Sequence, residues 1–181
     1  LGRGTVVIRF DDSLHAHWEE PDFGRHLTAT VAGLTDELTA SGAPTDVVQL
    51  DYDAPRRRLP AWAALVRRWS QGPLRDRRLW VTSIPDHLRH AEYGLLFSGA
   101  VEGHILQLFD TGTRPSASTE RGLLRDLDRA ALPYRLGLGA FERGAQTDHH
   151  AWWRRWPRLG RLEGFRGLWV FPAGHAYHHL F

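Results

Sequence analysis

Six short runs of β-branched and apolar residues, separated by helix-length sequence, limit this chain to few folds. They are TVVIRF (5–10), VVQLDYD (47–53), RLWVTSI (78–84), HILQLFD (104–110), YRLGLGAF (134–141) and GLWVF (167–171). Asp11-Asp12-Ser13 closes the first run, Pro55 stops the second and Pro85 the third. Between them, Leu27, Val31, Leu34 and Leu38 recur at helical spacing over residues 23–40, and Ser41-Gly42 ends that element. Pro60 opens a second helix to Gln71-Gly72, with Trp62, Leu65, Val66 and Trp69 on one side. A short helix over residues 86–93 follows the third run, and a longer one begins around Ser118 and Arg121-Gly122 and runs to about Ala131. Residues 142–166 read as irregular and tryptophan-rich. Strands alternating with helices predict an α/β fold with a parallel sheet. Two topologies satisfy the pattern: an incomplete (β/α)₈ barrel and a doubly wound open sheet. Both gather function at the C-terminal strand ends. Polar residues stand there repeatedly, namely Asp11, Asp12, Asp51, Asp53, Ser83, Asp110 and Glu142.

The chain has 181 residues, 42% of them hydrophobic, enough for one well-buried core. Every basic residue is arginine; cysteine and methionine are absent. Starting almost directly on a strand and lacking methionine, the chain reads as part of something longer. Cysteine absence removes disulfides and thiolate metal sites. No apolar run approaches the ~20 residues of a membrane span, so no integral membrane segment is expected. Net charge is +2, with the arginines scattered among 21 acids, which argues against a nucleic-acid partner. Localisation and oligomeric state are left open by these features.

Within the second run, VVQLDYDAP, strand alternation turns Gln49, Asp51 and Asp53 to one face and Leu50 and Tyr52 to the other. Two carboxylates on one face at a buried strand end raise each other's pKa, and desolvation adds to that. Stability alone does not favour such a pair. The structural alternative is ion pairing with an arginine such as Arg9 or Arg56.

The succession VVIRFDDS, VVQLDYDAP, LWVTSIPDHL, ILQLFDTG and YRLGLGAF resembles DUF3142, a bacterial family of uncharacterised function, from Val6 to about Phe171. The resemblance implies a TIM-barrel-like, glycoside-hydrolase-like fold. This chain would supply strands three to eight of a single barrel-type domain over residues 1–181, the first two βα units lying in preceding sequence. Two positions depart from the family pattern. Phe109 stands where the family has histidine, and Gly139-Ala140-Phe141-Glu142 replaces a Pro-Ala-Tyr-Gly-like strand end.

Glycoside hydrolysis needs two carboxyl groups. By analogy of fold, Asp51 and Asp53 at the end of strand four and Glu142 at the end of strand seven are the catalytic candidates. Arg9, Asp11, Gln49, Ser83, Gln107 and Asp110 are candidates to line the same cleft and bind a carbohydrate. No cofactor and no metal is assigned. The alternative activity is metal-dependent deacetylation. Phe10-Asp11-Asp12-Ser13 resembles the Thr-Phe-Asp-Asp-Gly motif of polysaccharide deacetylases, but lacks its glycine, and His87 and His90 are three apart rather than four. A non-catalytic barrel that binds a glycan or a protein is the third reading. His15, His17, His149, His150, His175, His178 and His179 are read as surface or tail residues. Trp152, Trp153 and Trp156 are read as aromatic packing rather than sugar-stacking faces. Gly137 and Gly139 are read as sites of close backbone approach.

Overall fold

A computed structural model describes residues 4–43, 45–109, 115–140 and 149–172. The elements are β1 (Val6–Arg9), α1 (Phe23–Ala40), β2 (Val47–Asp51), α2 (Leu59–Gln71), β3 (Arg78–Ser83), α3 (Pro85–Leu88), α4 (Tyr93–Phe97), β4 (Gly103–Gln107), α5 (Ala117–Ala130), β5 (Tyr134–Ala140), α6 (His149–Leu159) and β6 (Phe165–Pro172). Short 3₁₀ turns cover Asp12–Ala16 and Arg56–Arg58. The strand order is β1-β2-β3-β4-β5-β6, with two open edges among the described residues. Doubly wound sheets reverse their order at a switch point. This order never reverses, which removes the doubly wound alternative.

By contacts the chain divides into two compact units. The first holds residues up to Thr82 together with Leu95–Gly103. Here β1 pairs with β2, and β2 with β3, all parallel. All five residues of β2 are buried, as expected of a strand covered on both faces. Val48, Leu50 and Tyr52 meet the helix layer, where Phe10, Tyr52, Trp62 and Trp69 form an aromatic cluster with centroids 5.1–6.2 Å apart, edge-to-face except for the stacked Phe10–Trp69 pair. Helix α2 buries Trp62, Leu65, Val66 and Trp69, the expected stripe. Helix α1 is rotated from expectation. It buries Phe23, Val31 and Thr35, while Leu34 is 41% exposed. Thr35 can occupy the inward position because its hydroxyl donates to the Val31 carbonyl at 2.7 Å, leaving no unpaired donor. Trp69 Nε1 donates to Thr28 Oγ1 at 2.9 Å and ties the two helices together.

The second unit holds Ser83–Gly94 and the residues from His104 on. Strand β5 pairs in parallel with β4 and with β6, with an irregularity between Tyr134 and Leu136. The region read as irregular contains α6. Its Trp152 is buried, Trp153 Nε1 donates to the Gly139 carbonyl at 2.8 Å, and Trp156 stacks on Phe165. Trp152 and Trp156 thus take part in packing, and Trp153 is held by its indole N–H. Glu120 of α5 is buried and faces two arginines of α6, Arg155 at 3.3 Å and Arg158 at 3.4 Å. The Tyr134 hydroxyl donates to the Leu159 carbonyl, and burial pushes that phenol up to about 12. At Gly94 a Cβ would lie 1.9 Å from the Ala130 carbonyl oxygen, so α4 starts where only glycine fits against the end of α5. Gly137 is a second such approach: the Phe171 ring lies 2.9 Å from where its Cβ would be.

Candidate functional site

In the first unit, the ends of β1 and β2 are held in register by Arg9 opposite Asp51. The Phe10 amide donates to the Asp51 carbonyl at 2.8 Å. Arg9 Nη1 donates to Asp51 Oδ2 at 3.0 Å, an ion pair whose arginine side chain is 70% exposed and whose aspartate is 7% exposed. The ion-pair alternative is therefore realised, for Asp51 and with Arg9. Asp53 differs. It is half-buried, and its Oδ1 is buried with no hydrogen-bond partner among the described residues. Burial holds its carboxyl above the usual range, the charge of Asp51 adds to this, Arg9 opposes it and Asp12 adds further. Two carboxylates on one strand end thus have different environments, one answered by a cation and one not.

Gln49 lies on the same face of β2, fully buried, and its Nε2 donates to Thr82 Oγ1 at 2.9 Å. Its Oε1 has no partner among the described residues. Asp11 has a local structural task. It caps the 3₁₀ turn, accepting the Ser13 amide at 2.9 Å, and that hydrogen bond holds its exposed carboxyl below the usual range. His15, expected on the surface, is half-buried with its ring 5.5 Å from Tyr52, and its Nε2 is buried without a partner among the described residues. Trp18 Nε1 donates to the Tyr52 hydroxyl at 2.7 Å.

Ser83 departs from expectation. It follows Thr82 on β3 and so points to the opposite face, where it is fully buried. Its Oγ is hydrogen-bonded to His104 Nδ1 at 2.7 Å. His104 is also fully buried, packed edge-on against Tyr93 at 5.4 Å, and burial drives its imidazole down to about 3, with His87 adding to the effect. This pair belongs to the interior beneath the helices. Sequence reasoning passed His104 over because nothing in HILQLFD distinguishes a buried neutral imidazole from a surface one. Gln107 ends β4 half-buried, paired in register with Gly137. Asp110 and Glu142 lie outside the described residues. Among the described residues no three His, Asp or Glu side chains converge as a metal-ligand group. No described helix is long and apolar enough to cross a membrane.

With this geometry in place, the comparisons bear on the fold. No family model matches the sequence, and no curated protein matches it significantly. Solved structures do match. The spore cortex-lytic enzyme SleL of Bacillus megaterium QM B1551 aligns with a TM-score of 0.54 at 14% identity, over 81% of this chain and 41% of that one. SleL of Bacillus cereus aligns with a TM-score of 0.54 at 12% identity, over 79% and 38%. The likeness is one of fold. The chain spans about two-fifths of the length of these neighbours. Both neighbours are named as lytic enzymes, and the α/β sheet they share with this chain is the frame on which Asp51 and Asp53 sit.

Proposed function

We propose that this chain is part of a carbohydrate-active, glycoside-hydrolase-like barrel of the DUF3142 kind, cleaving glycosidic bonds by carboxylate acid–base chemistry. One observation carries the reading: Asp53 keeps a buried, unpartnered oxygen beside an Asp51 that is answered by Arg9. A carboxyl group whose pKa is raised by burial and like charge is suited to act as a general acid, while its neighbour stays compensated. Unreversed strand order supports the barrel, since closing a singly wound sheet needs strands in chain order. Two neighbours named spore cortex-lytic enzymes point to glycan-containing cell-envelope material as the first substrate class to try. In the reaction, the Asp53 proton passes to the leaving glycosidic oxygen. Arg9 holds Asp51 in place, so that its carboxylate faces positive charge developing on the sugar ring. Reducing-end release from purified spore cortex and from soluble β-linked oligosaccharides tests the proposal. Wild-type turnover that falls at least ~100-fold in Asp53→Asn is the expected result, the usual size of a general-acid contribution. Glycan binding without any turnover in the wild type would leave a binding module instead.

A further inference from the structure

The face of β2 that carries Asp51 also carries a residue that stability does not explain. Gln49 is fully buried in the middle of the strand, where a strand covered on both faces ordinarily places valine, isoleucine or leucine. Its amide is only half answered. Nε2 donates to Thr82 Oγ1 at 2.9 Å, while Oε1 is buried and has no partner among the described residues. A buried carbonyl left without a donor is costly unless something beyond the chain supplies one.

Strand register shows where that carbonyl is carried. Gln49 stands opposite Trp80 of β3, yet its side chain bonds Thr82, two residues farther along the same face. The amide therefore leans toward the C-terminal strand end, Thr82 lying ~6.6 Å beyond Trp80 at the usual strand rise. Thr82 is one residue past the Leu50–Val81 pair, as Asp51 is on β2, and Asp51 stands opposite Arg9 of β1. Arg9, Asp51 and Thr82 thus make one row across three strands, and the Gln49 amide joins it at Thr82. The row reaches the open rim, since the Arg9 side chain is 70% exposed. On one side Arg9 answers Asp51 Oδ2 at 3.0 Å; on the other the chain offers an unanswered acceptor. From this arrangement we infer that Gln49 is a specificity-determining residue: its carbonyl accepts a hydrogen bond from a sugar hydroxyl or an amide N–H of the unit bound beside Asp51, and Thr82 holds the amide turned for that task. The inference rests on the hydrolase reading above for the nature of the ligand. A donor group is admitted at this place. A hydrogen, an ether oxygen or a carboxylate is rejected, because each leaves Oε1 unanswered.

Removing the donor from the ligand and the acceptor from the protein, singly and together, tests the assignment. Titration calorimetry on the protein carrying this chain takes Asp53→Asn as the parent, so that no ligand is cleaved during the measurement. One series of β-linked oligosaccharides has its ring hydroxyls replaced one at a time by hydrogen; a second has the N–H of an acetamido group replaced by an ester oxygen. One replacement should weaken binding to the parent by ~10-fold or more, and to the parent carrying Gln49→Met by less than about threefold. The series in which that replacement falls tells hydroxyl from amide. Should Gln49→Met melt early, the same loss of selection is read in Thr82→Val, which releases the amide and keeps the side-chain shape. A merely structural glutamine would weaken every ligand alike when replaced. Equal weakening across both series, or a parent that binds no member of either, overturns the assignment and leaves the hydrolase reading intact. Reducing-end release by the wild type is scored separately: its absence overturns the hydrolase reading, while a positive binding series still assigns Gln49.

Discussion

His104 should make this protein acid-sensitive in a way that one substitution can isolate. Its imidazole is fully buried, hydrogen-bonded through Nδ1 to Ser83, and driven down to about 3 by burial and by His87. In the unfolded chain the same group titrates at its ordinary value of 6.5. Between these values the unfolded state holds a proton that the folded state refuses, so stability is lost as pH falls below 6.5 and the loss saturates near 3. At 1.36 kcal/mol per pH unit the loss is about 2 kcal/mol at pH 5 and about 3 kcal/mol at pH 4, as upper figures. His104→Gln removes the titration while keeping a polar partner for Ser83. Urea unfolding at half-unit steps from pH 4 to pH 7 measures the difference. The wild type should lose up to about 1.4 kcal/mol more per pH unit than the variant in the window below 6.5. Carboxylates elsewhere affect both proteins equally and cancel in the comparison. Parallel stability curves would refute the argument, because they would mean that folded His104 takes up a proton as easily as the unfolded one.

Asp53→Asn should lose activity and gain stability. A carboxyl whose folded pKa lies above its unfolded value stabilises least at neutral pH, so the variant should melt above the wild type at pH 7, and the gap should close as pH falls toward 4. A lower melting temperature at pH 7 would argue against the unanswered carboxylate. Glu120→Ala removes the buried carboxylate that Arg155 and Arg158 both face and should cost roughly 1–3 kcal/mol in urea unfolding, less than a fully buried pair because Arg158 is 69% exposed. Gly94→Ala drives a methyl group to 1.9 Å from the Ala130 carbonyl oxygen and should cost about 3 kcal/mol, read as a drop in the urea midpoint.

The legible part of this chain was whatever a local pattern could carry. Alternation along VVQLDYD set Gln49, Asp51 and Asp53 on one face, and the structure keeps them there with Leu50 and Tyr52 in the opposite layer. Helix α2 followed its period for the same reason: Trp62 and Trp69 have one low-energy place to go. Helix α1 did not, since leucine spacing favoured Leu34 while Thr35 answers its own hydroxyl inside the helix and goes in instead. Site residues divide along the same line. Sequence position groups Asp11 and Ser83 with the carboxylates, because all stand at strand ends. Yet a cap bond to Ser13 claims Asp11, and one further step along β3 turns Ser83 to the other face. Neither outcome is written in residue type; both depend on where the chain turns after the strand. That dependence also separates Asp51 from Asp53. Two identical side chains two residues apart are made unequal by the burial of one and by the arginine that answers the other, and an inequality of that kind is how a pair of carboxylates acquires distinct acid and base roles.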